Sequence, residues 1–213
     1  LWAGTLCGLN RLDEKTGEFE RFANDPADAR SLPANVVRAL EIDGKGRLWI
    51  GTSGGGLALF DYGTRSFRAY RKGDAGGIMS DYVMSIDEDA EGFLWLGTWY
   101  GGLTRFDPDS GSCVNAALGD DRVYVVMAER GGVVLAGTWG GGLFEYDSTT
   151  GRIDRYRSTG ATGSLSHDVV YSMLEDRSGD VWIGTNGGGV CRLASSRRSF
   201  GAVTASAEGM PPG

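Results

Sequence analysis

A five-residue motif recurs along the whole chain, and its spacing constrains the fold more than any other feature of the sequence. One copy reads Leu48-Trp49-Ile50-Gly51-Thr52. Four further copies share its glycine and threonine, at residues 1–5, 94–98, 134–138 and 181–185. The central positions of successive copies lie 47, 46, 40 and 47 residues apart. A period of this length indicates a chain built from copies of one supersecondary unit.

Each unit contains three further segments with the composition of β-strands. A glycine turn follows the motif and leads to an apolar segment, such as residues 57–61, and a polar turn then precedes a short aromatic segment, such as residues 67–70. A fourth segment, such as residues 36–42, ends in a turn that contains Asp43 and Gly44. Four short strands per unit are typical of a β-propeller blade. The period excludes a leucine-rich solenoid, and the lack of a helical periodicity excludes a helical repeat.

The repeat therefore predicts an all-β protein, a β-propeller of four-stranded antiparallel blades that forms a single segment over residues 1–213. The expected boundaries are a partial blade at 1–30, full repeats at 31–77, 78–119, 120–163 and 164–206, and the start of a next blade at 207–213. Four full repeats are fewer than the roughly six to eight blades usual in a closed propeller. We therefore expect a fragment of a larger, seven-bladed propeller. A closed five-bladed ring, in which the two ends share one blade, is the alternative.

Charge and hydropathy exclude two classes of partner. The formal net charge is −7, and no basic face is visible, so we expect no nucleic-acid partner. No segment has the length of apolar sequence that a membrane span requires, so we expect no direct membrane insertion by this segment.

We expect no metal site, cofactor or catalytic residue. Cys7, Cys113 and Cys191 form no CxxC pair and fall at different points of the repeat, which indicates small packing residues. His167 is the only histidine and makes a poor metal site alone. The acidic turn at residues 87–92 suggests calcium, but equivalent turns carry diluted or reversed charge, which favours a hairpin with a solvated face.

One variable position stands directly after the motif, among neighbours that hardly change between repeats. It is occupied by Leu6, Ser53, Trp99, Trp139 and Asn186, and Tyr100 stands where most other copies have glycine. Loops that a rigid scaffold holds around a propeller channel commonly bind ligands, and aromatic faces stack well on sugar rings. We therefore predict Trp99, Tyr100, Trp139 and Asn186 as ligand-binding residues. The alternative is that the aromatic rings only pack against the neighbouring blade.

A second variable position lies in the strand that precedes the motif. It is occupied by Arg38, Met84, Tyr124 and Tyr171, and a valine stands before it in every repeat. Variation beside constant neighbours suggests exposure to the channel or its rim. We therefore add Arg38, Tyr124 and Tyr171 to the predicted ligand-binding residues.

These motifs together resemble the two-component regulator propeller repeat. Residues 164–193 follow its pattern of Ser-Leu-Ser, a valine-rich strand, Asp-x-x-Gly, the tryptophan motif and a glycine turn, until the aromatic-Asp pair is lost at Leu193-Ala194. Residues 31–70 and 78–111 match as well. Residues 122–156 match more weakly, because Leu135 replaces the tryptophan and the preceding loop is shortened.

The resemblance implies a ligand-sensing region of a membrane-bound two-component receptor, on the periplasmic side of the inner membrane. Its ligand would be an oligosaccharide or another small molecule, and its other partners would be the remaining blades, downstream domains and a second receptor in a homodimer. The signal would pass to a cytoplasmic histidine kinase or diguanylate cyclase outside this chain, so we expect no enzyme here. The alternatives are a protein-interaction scaffold, and a propeller lyase or glycoside hydrolase, which would need paired carboxylates across a cleft.

Overall fold

The computed structural model describes residues 1–195 and 200–203, and this part of the chain consists of β-strands and turns. No helix in it is long and apolar enough to cross a membrane. The strands are β1 Trp2–Thr5, β2 Gly8–Leu12, β3 Phe19–Phe22, β4 Val37–Ile42, β5 Leu48–Thr52, β6 Leu57–Asp61, β7 Ser66–Tyr70, β8 Val83–Glu88, β9 Leu94–Thr98, β10 Gly102–Phe106, β11 Cys113–Ala116, β12 Val123–Ala128, β13 Val133–Thr138, β14 Leu143–Asp147, β15 Ile153–Tyr156, β16 Val170–Glu175, β17 Val181–Thr185, β18 Gly189–Leu193 and β19 Phe200–Val203.

The strands form five antiparallel sheets, which we call blades 1 to 5 in chain order. Blade 1 has three strands in the order β1-β2-β3, and blades 2 to 5 have four strands each, in sequence order from β4, β8, β12 and β16. The predicted fold class, an all-β propeller of antiparallel four-stranded blades, is confirmed. The predicted start of a further blade at 207–213 lies outside the described residues. The seven-bladed ring and its five-bladed alternative stay predictions.

A hydrophobic core lies between each pair of consecutive blades, because every sheet has two apolar faces. The four cores are formed by residues of blades 1 and 2, 2 and 3, 3 and 4, and 4 and 5. Trp49 of blade 2 is fully buried, and its ring lies edge-on to Phe106 of blade 3 with the centroids 5.4 Å apart. Burying a large aromatic side chain stabilises the fold by about 2–3 kcal/mol. Stacking therefore supplies the stability that one blade alone lacks.

The glycine of the recurring motif lets consecutive blades approach closely. We call the first strand of each four-stranded blade, which precedes the motif, its inner strand. A Cβ atom on Gly51 would lie 2.9 Å from Cγ1 of Val83, the first residue of the inner strand of blade 3. The same relationship recurs for the pairs Gly4 and Val37, Gly97 and Val123, and Gly137 and Val170. Both the motif glycine and the constant valine are therefore parts of one interface between blades.

The acidic turn at residues 87–92 has a structural role. Oδ1 of Asp89 accepts backbone hydrogen bonds from Glu91 and Phe93, and Oδ2 accepts one from the Trp95 indole at 2.9 Å. Glu88 accepts a hydrogen bond from the Gly44 amide of blade 2 at 2.7 Å. The turn thus closes its own hairpin, as the hairpin interpretation expected, and it also joins two blades, which that interpretation did not include.

The cysteines differ in their surroundings. Cys191 is buried in the core between blades 4 and 5, and Cys113 packs against the core between blades 2 and 3. Cys7, however, is exposed. The prediction of three packing residues is therefore wrong for Cys7, which lies in a surface turn rather than on a strand face that a neighbouring blade covers.

Candidate ligand-binding site

A β-bulge interrupts the inner strand of each four-stranded blade at the same place. In blade 2, Val37 pairs with Thr52 and Ala39 pairs with Gly51, so Arg38 between them has no opposite residue. The equivalent unpaired residues are Met84, Tyr124 and Tyr171. A bulge turns its extra residue out of the ladder and redirects the side chain. The second variable position of the repeat is therefore the bulge position, which explains why it varies while the valine before it does not.

The residue at the first variable position, directly after the motif, lies beside the beginning of two inner strands. One is the inner strand of its own blade, and the other is that of the next blade. The Trp99 amide donates to the Tyr82 carbonyl at 2.9 Å within blade 3, and Trp99 also bridges to Arg122 of blade 4. Trp139 makes the equivalent hydrogen bond to the Arg122 carbonyl at 3.0 Å and bridges to Val169 of blade 5. Each loop residue is thus held beside the bulge of the next blade.

Residues at the two variable positions line one open cavity with a volume of about 370 Å³, which we call the aromatic concavity. Its lining residues are Arg38, Ser53, Tyr82, Met84, Trp99, Tyr100, Tyr124, Trp139 and Tyr171. The structure thus brings together all the predicted ligand-binding residues except Asn186. Asn186 is exposed at the equivalent loop of blade 5 and does not line the concavity.

The rings of the concavity form one connected set across blades 3, 4 and 5. Trp99 and Trp139 lie 5.4 Å apart between ring centroids, and Tyr124 lies 5.8 Å from Trp139. Tyr171 lies 5.3 Å from Trp139 and 5.2 Å from Tyr124. On the other side, Tyr100 lies 6.1 Å from Trp99. All of these contacts are edge-to-face or tilted, and none is a face-to-face stack.

Packing against a neighbouring blade does not remove these rings from solvent. Tyr100 is 61% exposed and Tyr171 is 37% exposed, while Trp99, Trp139 and Tyr124 are half-buried. Each ring therefore contacts a neighbour and still presents part of its surface to the concavity. Their role as ligand contacts stays a prediction.

Tyr100 has a left-handed backbone conformation, with a φ of 73°. Glycine occupies the equivalent position in three other blades, as Gly54, Gly140 and Gly187, with φ values of 98°, 108° and 83°. A residue with a Cβ atom is strained in this region by about 1–2 kcal/mol. Strain of this kind is characteristic of functional sites, so it directs attention to the exposed ring of Tyr100.

Tyr82 lines the concavity but was not predicted from the sequence. It stands just before the constant valine of blade 3, and its ring lies 6.0 Å from that of Tyr100. The same position holds Val36, Arg122 and Val169 in the other blades. An aromatic residue at an otherwise non-aromatic position was the signal that could have identified it.

Charge is distributed unevenly along the inner strand of blade 2. Arg38 lies in the concavity, whereas Glu41 lies further along β4 near the carboxyl groups of Asp87, Glu88 and Asp43. Burial raises the pKa of Glu41 to about 7, and the charges of those three residues add to the effect. None of the described residues that line the concavity has a carboxylate.

His167 and Asp168 hold the loop that leads to the inner strand of blade 5. Nδ1 of His167 accepts a hydrogen bond from the Val169 amide at 3.0 Å. The carboxylate of Asp168 pairs with Arg157, and its carbonyl accepts the amides of two turn glycines of blade 4. These contacts are structural. The described residues contain no group of three or more His, Cys, Asp or Glu side chains that could hold a metal ion.

Solved structures with the same fold support the propeller architecture. The extracellular domain of the hybrid two-component system BT3049 from B. thetaiotaomicron superposes with a TM-score of 0.81 and 21% identity, over 94% of this chain and 28% of that one. The extracellular domain of BT4673 from the same organism superposes with a TM-score of 0.65 and 19% identity, over 95% of this chain and 35% of that one. The designed protein Ika4 superposes with a TM-score of 0.55 and 15% identity, over 82% of this chain and 98% of that one. The chain thus spans about a third of the two bacterial domains. No curated protein sequence matches it significantly.

Three segments of the chain match the family model described as "Two component regulator propeller", at residues 31–54, 77–100 and 164–187. Each segment leads from the loop before an inner strand, through the bulge, to the turn after the motif. The motif contains a tryptophan in each of these three blades and also in blade 1, whereas Leu135 takes its place in blade 4. These three segments are therefore similar to the repeats of the two-component regulator propeller family.

Proposed function

We propose that this chain is a ligand-sensing region of a two-component signalling receptor, and that the aromatic concavity binds a saccharide. One observation carries the proposal: the loop and bulge residues of adjacent blades bring a connected set of half-exposed rings into one concavity. The apolar C–H faces of a pyranose ring pack well against such rings, and the tyrosine hydroxyls and Ser53 offer hydrogen bonds to sugar hydroxyls.

The place of the chain in a receptor rests on the family and on its structural relatives. The bacterial relatives are extracellular domains of signalling systems. By analogy, we place this chain outside the cytoplasmic membrane, in the periplasm, with a kinase or cyclase output elsewhere in the receptor. The test is to measure the output of the full-length receptor with a reporter, once with Trp99 and once with Trp99 replaced. A loss of output in the variant would show that binding at the concavity controls signalling.

Binding without turnover is the expected chemistry. Glycoside hydrolysis requires two carboxyl groups that flank the scissile bond, at most about 10 Å apart. No carboxylate lines the concavity, so the described residues there provide neither a general acid nor a nucleophile of that kind. A protein-interaction scaffold is the other alternative, and a saccharide titration separates the two.

The experiment is calorimetric titration of the purified protein with a panel of oligosaccharides, together with chromatography of the saccharides afterwards. Ser53 is the native residue at the position of Trp99 and Trp139, so Trp99→Ser and Trp139→Ser are replacements that a blade already tolerates. We expect saturable binding with no released sugar, and an affinity about tenfold lower in either variant.

Tyr62→Ala is the matched control. Tyr62 is 49% exposed, contacts Trp2 and Phe60 in blades 1 and 2, and lies outside the concavity. It should therefore leave the affinity unchanged. Equal losses in all three variants would contradict a site at the concavity. Released sugar would indicate an enzyme, and a tight protein partner with no saccharide binding would indicate a scaffold.

A further inference from the structure

Among the described residues that line the aromatic concavity, Arg38 has the only charged side chain. The other lining residues are aromatic, apolar or hydroxyl-bearing, so no carboxylate there neutralises it. The chain as a whole is acidic, with a formal net charge of −7. A lone cation in this concavity is therefore a local exception to the charge of the protein.

Arg38 differs from the arginines that form ion pairs within their own blades. Arg47, Arg105 and Arg192 pair with Asp43, Glu91 and Asp180 respectively. Arg38 is exposed and has no carboxylate within 4.0 Å in the described part of the chain. An arginine on the outer surface could be left to solvent without consequence, but Arg38 stands at a bulge that turns it toward the concavity.

The chemistry of the guanidinium group defines what it would bind. Its planar fork of donors matches two oxygens of a carboxylate or of a sulfate ester, and a pair of this kind is stronger than a neutral hydrogen bond. The bulges of blades 4 and 5 present Tyr124 and Tyr171 instead, so the cation lies at one side of the concavity and the larger group of rings at the other.

We propose that the concavity selects an acidic saccharide, in which an anionic group pairs with Arg38 while neighbouring sugar rings pack against the aromatic side chains. This inference rests on the proposed saccharide-binding function and adds the charge of the ligand to it. The anionic group is the carboxylate of a uronic acid or a sulfate ester, which share the geometry that the guanidinium recognises.

Titrations with three probes test the proposal: a uronic acid trisaccharide, the same trisaccharide with its carboxyl groups reduced to alcohols, and a sulfated trisaccharide. The variant is Arg38→Met, because Met84 is the native residue at the equivalent bulge of blade 3. The control is Arg177→Met, which removes the same charge from an exposed turn of blade 5 outside the concavity.

We expect the wild-type protein to bind an acidic probe at least tenfold more tightly than the reduced one. Arg38→Met should lower that affinity about tenfold and leave the affinity for the reduced probe unchanged, and Arg177→Met should alter neither. If Arg38→Met lowers the affinity for the uronic acid probe alone, the group that pairs with Arg38 is a carboxylate. If it lowers the affinity for the sulfated probe alone, that group is a sulfate ester.

Two results would overturn the proposal: equal affinity of the wild type for acidic and reduced probes, or equal losses in the two arginine variants. If Trp99→Ser still weakens the binding of every probe in that case, the proposed saccharide site is retained and only the proposed selectivity for anions is rejected. If no saccharide binds at all, the proposed function falls as well.

Discussion

The indole Nε1 of Trp49 donates a hydrogen bond to Oδ2 of Asp43 at 2.8 Å, and both side chains are buried. Oδ1 of Asp43 accepts the backbone amides of Lys45 and Arg47, so one carboxylate closes the turn and fixes the tryptophan of the motif. Burial alone would raise the pKa of the Asp43 carboxyl group. The hydrogen bonds from Trp49 and Arg47 stabilise the charged form more than burial destabilises it, so the pKa is lowered. The same bond joins Asp89 to Trp95 and Asp176 to Trp182.

Replacing this aspartate should therefore destabilise the protein strongly. Asp43→Ala leaves the buried indole of Trp49 without an acceptor and Arg47 without its buried partner, so we expect the free energy of unfolding to fall by about 2–4 kcal/mol. Urea unfolding followed by tryptophan fluorescence measures the change. Glu18→Ala, in an exposed outer turn, is the control and should cost less than about 0.5 kcal/mol. Similar losses in both variants would rule out this role for Asp43.

The contact between Gly97 and Val123 should show energetic coupling between blades 3 and 4. A Cβ atom on Gly97 would lie 3.0 Å from Cγ1 of Val123, so Gly97→Ala should destabilise the protein by about 1–3 kcal/mol. The loss should be smaller by at least about 0.5 kcal/mol when Val123→Ala has made room. Gly44→Ala is the control, because its Cβ would meet nothing nearer than 3.5 Å. Strict additivity in the double mutant would show that the two residues do not interact in this way.

The sequence was enough to predict the fold because one pattern occurs in every blade. The inner strand of blade 2, for instance, was expected at 36–42 and is Val37–Ile42. The sequence also shows the constant glycine of the motif and the constant valine of the inner strand, but it does not show that the two residues contact each other. The contact joins residues of different blades, and a single repeat contains no information on which surfaces face each other.

The candidate site was predictable only in part, for a related reason. Variation between repeats identified Arg38, Trp99 and Tyr171, but it could not show that a bulge directs the inner-strand residues into the concavity. A bulge is a property of the register between two strands, here the shift between Val37 and Ala39. The strain at Tyr100 was likewise hidden, because it depends on a backbone angle.

Glu41 should make stability depend on pH. Its pKa rises from 4.5 to about 7 in the folded protein through burial and the charges of Asp87, Glu88 and Asp43. The folded state thus binds this proton more tightly than the unfolded chain. The resulting stability is fully present below pH 4.5 and is lost as the pH rises through about 7.

Glu41→Gln removes this titration and tests it directly. We expect the variant and the wild type to have similar free energies of unfolding at pH 4.5, and the variant to be more stable at pH 8. The difference should be on the order of 1 kcal/mol, since Glu41 is only partly buried and solvent still stabilises its charge. Urea unfolding at several pH values measures it, with Glu18→Gln as the control at an exposed site. A difference that does not change with pH would contradict the assignment.

Tyr100 should reveal a conflict between stability and binding. Tyr100→Gly relieves about 1–2 kcal/mol of backbone strain against about 0.5–1 kcal/mol of added chain entropy, so the fold should gain about 0.5 kcal/mol. Tyr100→Ala keeps the strain and should be less stable than the glycine variant by about 1 kcal/mol, although both should bind saccharide equally weakly. Arg65, with a φ of 56°, is the other left-handed non-glycine residue in the described part of the chain and does not line the concavity, so Arg65→Gly should leave binding intact. If Tyr100→Gly binds as tightly as the wild type, the strained ring contributes nothing to recognition.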